Sequence, residues 1–250
     1  MQERAVIVDF DRTLLRSDKT LSPLTLSVFR FLKERGLCIL AATARPERSV
    51  RSYLEALRPD ACVTLNGART LLPRKVLEHP LSPESADRTL QLLMEIPDRT
   101  LSMECAGGFY ASRAIPEWDP VVEPDLRGRT KSEHVYKILA SPPPDIPLPL
   151  PEDVYTTTAE GTLLQVMDRK ATKWRGVQDM LSAFGLSPAQ AVYFGDDQDD
   201  LESIRGCGLG VAVSNALKPV RDAASALALS NDEDGVARFL VDLFHLEVSE

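Results

Sequence analysis

The stretch Val6-Ile7-Val8-Asp9-Phe10-Asp11-Arg12-Thr13-Leu14 decides how this chain is read. Ala5 to Val8 form an apolar run too short for a helix, which predicts a buried strand. Two carboxylates two residues apart follow it. Strand residues i and i+2 share a side, so a chain that stays extended through Phe10 presents Asp9 and Asp11 together beyond the strand end. Like charges placed so close repel, and burial raises the cost. A cation between them, or a proton on one of them, removes the conflict. The plain structural alternative is that the pair caps the next element or makes a turn.

Working outward, Ser22-Pro23 is a capped helix start, and Leu24, Val28, Phe31 and Leu32 fall near one face of the helix that runs to Arg35. Gly36 stops it. Leu37 to Ala42 predicts a second strand, Glu47 to Leu57 a helix, and Ala61 to Leu65 a third strand. Strand and helix in alternation indicate a parallel sheet with crossover helices. From about Leu72 the pattern changes to a helix (Ser82 to about Ile96), a hairpin around Gly107-Gly108, further strands near Val135–Leu139, Val154–Thr158 and Thr162–Met167, and a proline-rich stretch from Pro142 to Pro151. Proline excludes that stretch from helix interiors and central strands. The α/β alternation resumes with Lys173 to Phe184 and continues through strands at Ala191–Phe194, Leu209–Val213 and Ala226–Leu229 to a last helix, Gly235–Phe244. The expected architecture is α/β: a doubly wound parallel-sheet core from residues 1–71 and 169–250, with an α+β cap inserted at 72–168.

The 250 residues carry 44% hydrophobic and 26% charged side chains, ordinary values for a globular chain with a sizeable core. A net charge of −8 without a long basic run argues against a nucleic-acid surface. Cys38, Cys62, Cys105 and Cys207 lack C-x-x-C spacing and read as free thiols, mostly buried. The three histidines show no metal-ligand spacing. No leader pattern and no apolar run of membrane-spanning length is found, so a cytoplasmic protein is expected.

In open α/β sheets, ligands bind beyond the carboxyl ends of the strands. Here those ends bear Asp9 and Asp11, Thr43, and the acidic run Asp196 to Asp200, with Lys173 opening a helix that feeds the last. Each has a plainer reading: a solvated helix start for the acidic run, a capping residue for Thr43, a surface lysine for Lys173, with Lys170 competing for its role. Together they point to phosphoryl transfer with a hard, oxygen-loving cation, magnesium first. Asp9 would attack phosphorus, Asp11 protonate the leaving oxygen and then activate water, Thr43 donate to a phosphoryl oxygen, and Lys173 supply positive charge.

These residues carry a resemblance. Asp9-Phe10-Asp11-Arg12-Thr13-Leu14 resembles the D-x-D-G-T-L motif of the haloacid dehalogenase-like phosphatases. Thr43-Ala44-Arg45-Pro46 is similar to T-G-R-P, Gly195 to Asp200 to G-D-x-x-N-D, and Lys173, twelve residues before Gly185, fits the family's lysine-bearing helix where Lys170 does not. Asn66-Gly67-Ala68 and Ser214-Asn215-Ala216 resemble the N-G-A and G-N-A signatures of the Cof-type branch, which carries a large α+β cap of the C2 type. The resemblance implies a Rossmann-like core and a magnesium-dependent phosphatase for a small phosphorylated metabolite, a sugar phosphate or phosphorylated cofactor. It implies Mg2+ held by Asp9, Asp196 and the backbone carbonyl of Asp11, with Asp200 acting behind them or through water. Arg45, Asn66 and Asn215 would line the substrate pocket. A phosphosugar phosphatase, a phosphomannomutase-like enzyme and a non-catalytic phosphate-binding or phospho-acceptor protein remain open alternatives.

The chain departs from that pattern in four places. Arg12 and Ala44 stand where the motifs have glycine, and Asp199 where the fourth motif has asparagine. The cap also has its proline-rich stretch in place of a second helix. That would leave one face of the cap sheet open to a partner subunit, as in a homodimer, or would reshape the pocket.

Overall fold

The computed structural model describes residues 3–145, 147–159 and 161–247. The strands are β1 (Ala5–Val8), β2 (Cys38–Ala42), β3 (Ala61–Thr64), β4 (Arg69–Leu72), β5 (Lys75–Glu78), β6 (Thr100–Cys105), β7 (Gly108–Ala111), β8 (Val121–Val122), β9 (Val135–Ser141), β10 (Val154–Ala159), β11 (Leu163–Asp168), β12 (Ala191–Gly195), β13 (Leu209–Val213) and β14 (Ala226–Ala228). The helices are α1 (Pro23–Glu34), α2 (Glu47–Leu57), α3 (Pro83–Met94), α4 (Lys173–Ala183), α5 (Leu201–Gly206), α6 (Lys218–Ala223) and α7 (Gly235–Phe244). They build two units. One runs to Leu77 and resumes at Thr172; the other spans Glu78–Ala171.

The first unit is a doubly wound α/β core. Its sheet has the order β14-β13-β12-β1-β2-β3-β4-β5. β1 is central, paired in parallel with β2 and β12, and all four of its residues are buried. A continuous apolar run is what a parallel strand covered on both faces requires. The side chain of Ser22 accepts the Thr25 N–H at 3.0 Å, and α1 then buries Val28, Phe29 and Leu32. The sequence reading ends this segment at residue 71, whereas the structure carries it to Leu77. The difference is β4, which pairs antiparallel with β3, and β5 beyond it at the sheet edge.

The second unit is α+β. Its six strands take the order β10-β11-β9-β6-β7-β8, antiparallel except for the short β7–β8 pair. Helix α3 sets Ala86, Leu90 and Leu93 in a core with Leu101, Met103, Ile138, Ala140 and Val166. The proline-rich stretch forms no helix or strand among its described residues, yet Leu148 and Leu150 pack onto that same core. Residues Leu126–Lys131 add a further turn against α3, burying Leu126. The stretch thus gives this core apolar cover without forming a helix. The four cysteines are free thiols. No helix among the described residues is long and apolar enough to cross a membrane.

Candidate active site

β1 delivers Asp9 in extended conformation (φ −77°, ψ 161°) to its carboxyl end. The chain then makes one wide turn, Phe10–Leu14, closed by the Leu15 N–H on the Phe10 carbonyl at 2.8 Å. Arg12 lies in that turn at φ 57°, the left-handed region where glycine is at ease and other residues are strained. The chain therefore keeps the backbone of a glycine motif with an arginine in it. Ala44 differs: its backbone is outside that region, so replacing glycine there brings no such strain.

Asp200 organises the site. It is fully buried, and each of its oxygens accepts two hydrogen bonds. Lys173 Nζ (2.8 Å) and the Tyr193 hydroxyl (2.6 Å) donate to Oδ1, and the backbone N–H groups of Asp196 (3.0 Å) and Asp197 (3.1 Å) to Oδ2. A carboxylate offers about four acceptor positions, so Asp200 is saturated. The fold-back needs Gly195, since a Cβ there would meet Asp200 Cβ and Cγ at 2.5 Å. Lys173 also reaches Asp9 Oδ1 at 3.0 Å. It opens α4, whose first turn is capped by the Thr172 side chain on Arg175 N–H. Gly67 holds that start in place: a Cβ on it would lie 2.2 Å from the Thr172 carbonyl oxygen.

Carboxylate oxygens of Asp9, Asp196 and Asp200 lie within 4.8 Å of one another, all buried. Burial, then the charges of Asp200 and Asp196 against the opposing pull of Lys173, holds Asp9 well above the usual carboxylate range. Burial followed by the Asp200 charge pushes Asp196 up to about 7. Lys173 is driven the other way: burial would lower it, but Asp200 and Asp9 hold it well above its ordinary value, so it stays charged. A buried acidic pair that resists ionisation is what a hard cation with oxygen ligands relieves. Asp196 is set for it by Thr13, whose hydroxyl donates to Oδ1 at 2.8 Å, while Arg12 Nε stands 3.5 Å from Oδ2. Because Asp200 is saturated, the donor set left to such an ion is Asp9 and Asp196.

Asp11 is engaged elsewhere. Arg45 grips it with two bonds, Nε to Oδ2 at 2.5 Å and a terminal nitrogen to Oδ1 at 2.6 Å, and Lys19 Nζ adds a third at 2.8 Å. Burial would raise its pKa, but the Arg45 and Lys19 bonds outweigh that and hold it below the usual value. Thr43 is buried at the end of β2, its Oγ accepting Arg45 N–H at 3.1 Å. Asn66, at φ 58°, donates its side-chain amide to Asp199 Oδ2, so the departure at Asp199 has a partner in the N-G-A loop. Asn215 braces loops: Nδ2 donates to the Arg12 carbonyl at 2.7 Å and Oδ1 accepts Asn231 N–H at 3.0 Å. Lys170 is in the second unit, in a turn on Asp168, while Lys173 is the lysine at Asp9. Sequence reasoning missed Tyr193, Lys19 and Thr13. The signal for Tyr193 is a lone hydroxyl inside the apolar run Ala191–Phe194; for Thr13 it is membership of the first motif.

Comparison with known proteins gives the family. The haloacid dehalogenase-like hydrolase family model matches residues 6–240. The chain is 26% identical to the 5-amino-6-(5-phospho-D-ribitylamino)uracil phosphatase YitU of Bacillus subtilis, over 96% of this chain and 97% of the relative. A phosphatase of the same superfamily from Bacteroides thetaiotaomicron shares the fold, with a TM-score of 0.87 at 19% identity over 98% of this chain and 96% of that one. So does a subclass IIB sugar phosphatase, with a TM-score of 0.83 at 18% identity over 97% and 99%. The chain thus belongs to the haloacid dehalogenase-like hydrolases, in the Cof-type branch, as a phosphoric monoester hydrolase.

Proposed function

We propose that this chain is a magnesium-dependent phosphatase that hydrolyses a small phosphorylated metabolite through an aspartyl-phosphate on Asp9. The observation that carries the reading is the buried pair Asp9 and Asp196 beside a charged Lys173, with Asp200 saturated behind them. Mg2+ held by Asp9, Asp196 and the Asp11 carbonyl would offset the repulsion between phosphate and carboxylates. Asp9 Oδ forms the new bond to phosphorus as the bond to the ester oxygen breaks, and that oxygen leaves with a proton from Asp11, which first parts from Arg45 and Lys19 and takes up that proton from solvent. Water then attacks the aspartyl-phosphate, Asp11 takes its proton, and inorganic phosphate departs. Lys173 stabilises charge at Asp9, and Thr43 donates to a phosphoryl oxygen. Asp200 acts as an anchor for Lys173 and for the 196–197 backbone. Arg45 and Asn66 face the substrate, and Asn215 serves as a loop brace. A cytoplasmic setting belongs to the same reading.

The test is phosphate release from p-nitrophenyl phosphate, abolished by EDTA and restored by Mg2+. No release under any metal condition would overturn the reading in favour of a non-catalytic phosphate binder. A screen of phosphorylated metabolites then follows. The name of YitU places a phosphorylated ribityl compound in it, and the sugar phosphatase structure adds sugar phosphates.

A further inference from the structure

Lys19 and Arg45, 8 and 34 residues further along the chain, converge on the single carboxylate of Asp11. Two cations on one anion leave an excess positive charge. The group is partly open to solvent: the side chains of Asp11, Lys19 and Arg45 are 34%, 46% and 24% exposed. Its geometry is built. Lys19 sits at φ 65°, a strained conformation for lysine. The turn that imposes it is closed by Lys19 N–H on the Arg16 carbonyl (2.8 Å) and Arg16 N–H on the Thr20 carbonyl (3.0 Å). It is anchored from outside by Arg16 on Asp234 (3.1 and 2.7 Å) and Ser17 on Asp232 (2.8 and 2.7 Å).

Tyr53 links the two cations. Its hydroxyl donates to the Lys19 carbonyl at 2.9 Å, and its ring lies 5.7 Å from the Arg45 guanidinium. The ring is itself fixed edge-on against Phe10 of the first motif, with centroids 5.8 Å apart. Backbone strain that the surroundings over-determine is a mark of function rather than of folding. Phosphoryl transfer at Asp9 already has its lysine in Lys173, so a second, rigidly held cation pair serves another group.

We propose that Lys19 and Arg45, positioned by Tyr53, form an anion subsite that Asp11 fills in the free enzyme and a second anionic group of the substrate fills in the complex. This deepens the phosphatase reading and rests on it. The occupant seen is a carboxylate gripped side-on by a guanidinium, the geometry in which arginine is most selective, so a carboxylate on the substrate is the first choice. The substrate class is then a phosphorylated acid, such as a phosphorylated sugar acid. When the substrate takes the two cations, Asp11 is released toward the leaving oxygen.

The experiment compares matched substrates on the full chain with Mg2+: 3-phosphoglycerate against glycerol 3-phosphate, and 6-phosphogluconate against sorbitol 6-phosphate. In at least one pair the acid has the higher kcat/KM by about tenfold, as one added charge-assisted contact gives. The preference falls severalfold in Lys19→Met and in Arg45→Met and is kept in Lys19→Arg. Calorimetric binding of the same compounds to Asp9→Asn reads the subsite without turnover and shows the same preference. Equal values within both pairs, or a preference that survives both methionine substitutions, would overturn the subsite. Loss of p-nitrophenyl phosphate hydrolysis in the wild type, with the binding preference intact, would instead fault the phosphatase reading alone.

Discussion

At the scale of single residues, the site is a set of charges whose positions are fixed by a few uncharged groups. Tyr193 is the clearest case. Its hydroxyl is one of the four donors to Asp200, in a fully buried setting where a charged acceptor makes each bond count. Tyr193→Phe should cost about 1–3 kcal/mol of stability, read by urea denaturation, and lower kcat because Lys173 shares the same oxygen. Wild-type stability in that variant would show that Asp200 does not depend on it. Arg12 makes the opposite case. Its left-handed backbone costs roughly 1–2 kcal/mol that glycine would not incur, partly offset by the greater freedom of glycine in the unfolded chain. Arg12→Gly should leave the melting temperature nearly unchanged and tighten Mg2+ binding severalfold, because a cation no longer stands 3.5 Å from Asp196. Calorimetry checks it; weaker binding would contradict the assignment of Asp196.

At the scale of elements, the start of α4 and the loop after β12 hold Lys173 and Asp200 together. Thr172→Ala removes the cap on Arg175 N–H and should cost about 1 kcal/mol, with a larger proportional loss in kcat than in KM. Gly195→Ala sets a methyl against Asp200 and should cost about 1–3 kcal/mol, accompanied by a fall in Mg2+ affinity. Stability lost without any change in affinity would mean that the loop does not orient Asp196. Much at this scale could be read from the sequence. The apolar runs of β1, β2 and β12 are long enough to announce themselves, and Ser22-Pro23 marks a helix start by the chemistry of capping. Arg69–Leu72 and Lys75–Glu78 could not be read so, being four-residue strands of mixed polarity whose existence depends on the sheet edge beside them. The partners of Asp11 were hidden for a related reason: an αL turn and a tyrosine 34 residues away bring Lys19 there, and no local pattern encodes either. The leucines of the proline-rich stretch show no periodicity, so their packing on the cap core emerges only in three dimensions.

At the scale of the whole molecule, each unit has its own hydrophobic core. The Mg2+ site proposed at Asp9 and Asp196 belongs to the first. Saturating Mg2+ should therefore slow amide exchange in β1, β12 and α4 while leaving β6, β9 and β11 unchanged. Equal protection in both sets would place the ion elsewhere. The same site gives stability a pH dependence. In the metal-free protein Asp196 holds its proton to about pH 7, far above the unfolded value of 3.8. The folded state then binds the extra proton, so the contribution of this group is full below about pH 4 and declines as pH rises toward 7, by at most about 1.4 kcal/mol per pH unit. Thermal melts without metal, comparing the wild type with Asp196→Asn between about pH 5 and 7, should show that decline in the wild type and less of it in the variant. With Mg2+ present the decline should shrink, since the ion replaces the proton.

The central claim is that Asp9 is the phosphoryl acceptor, and the most direct measurement is turnover of p-nitrophenyl phosphate by Asp9→Asn at saturating Mg2+, with circular dichroism to confirm the fold. A native spectrum with kcat reduced by at least about a thousandfold is the outcome expected when the nucleophile itself is removed. A native spectrum with near-normal turnover would contradict the account.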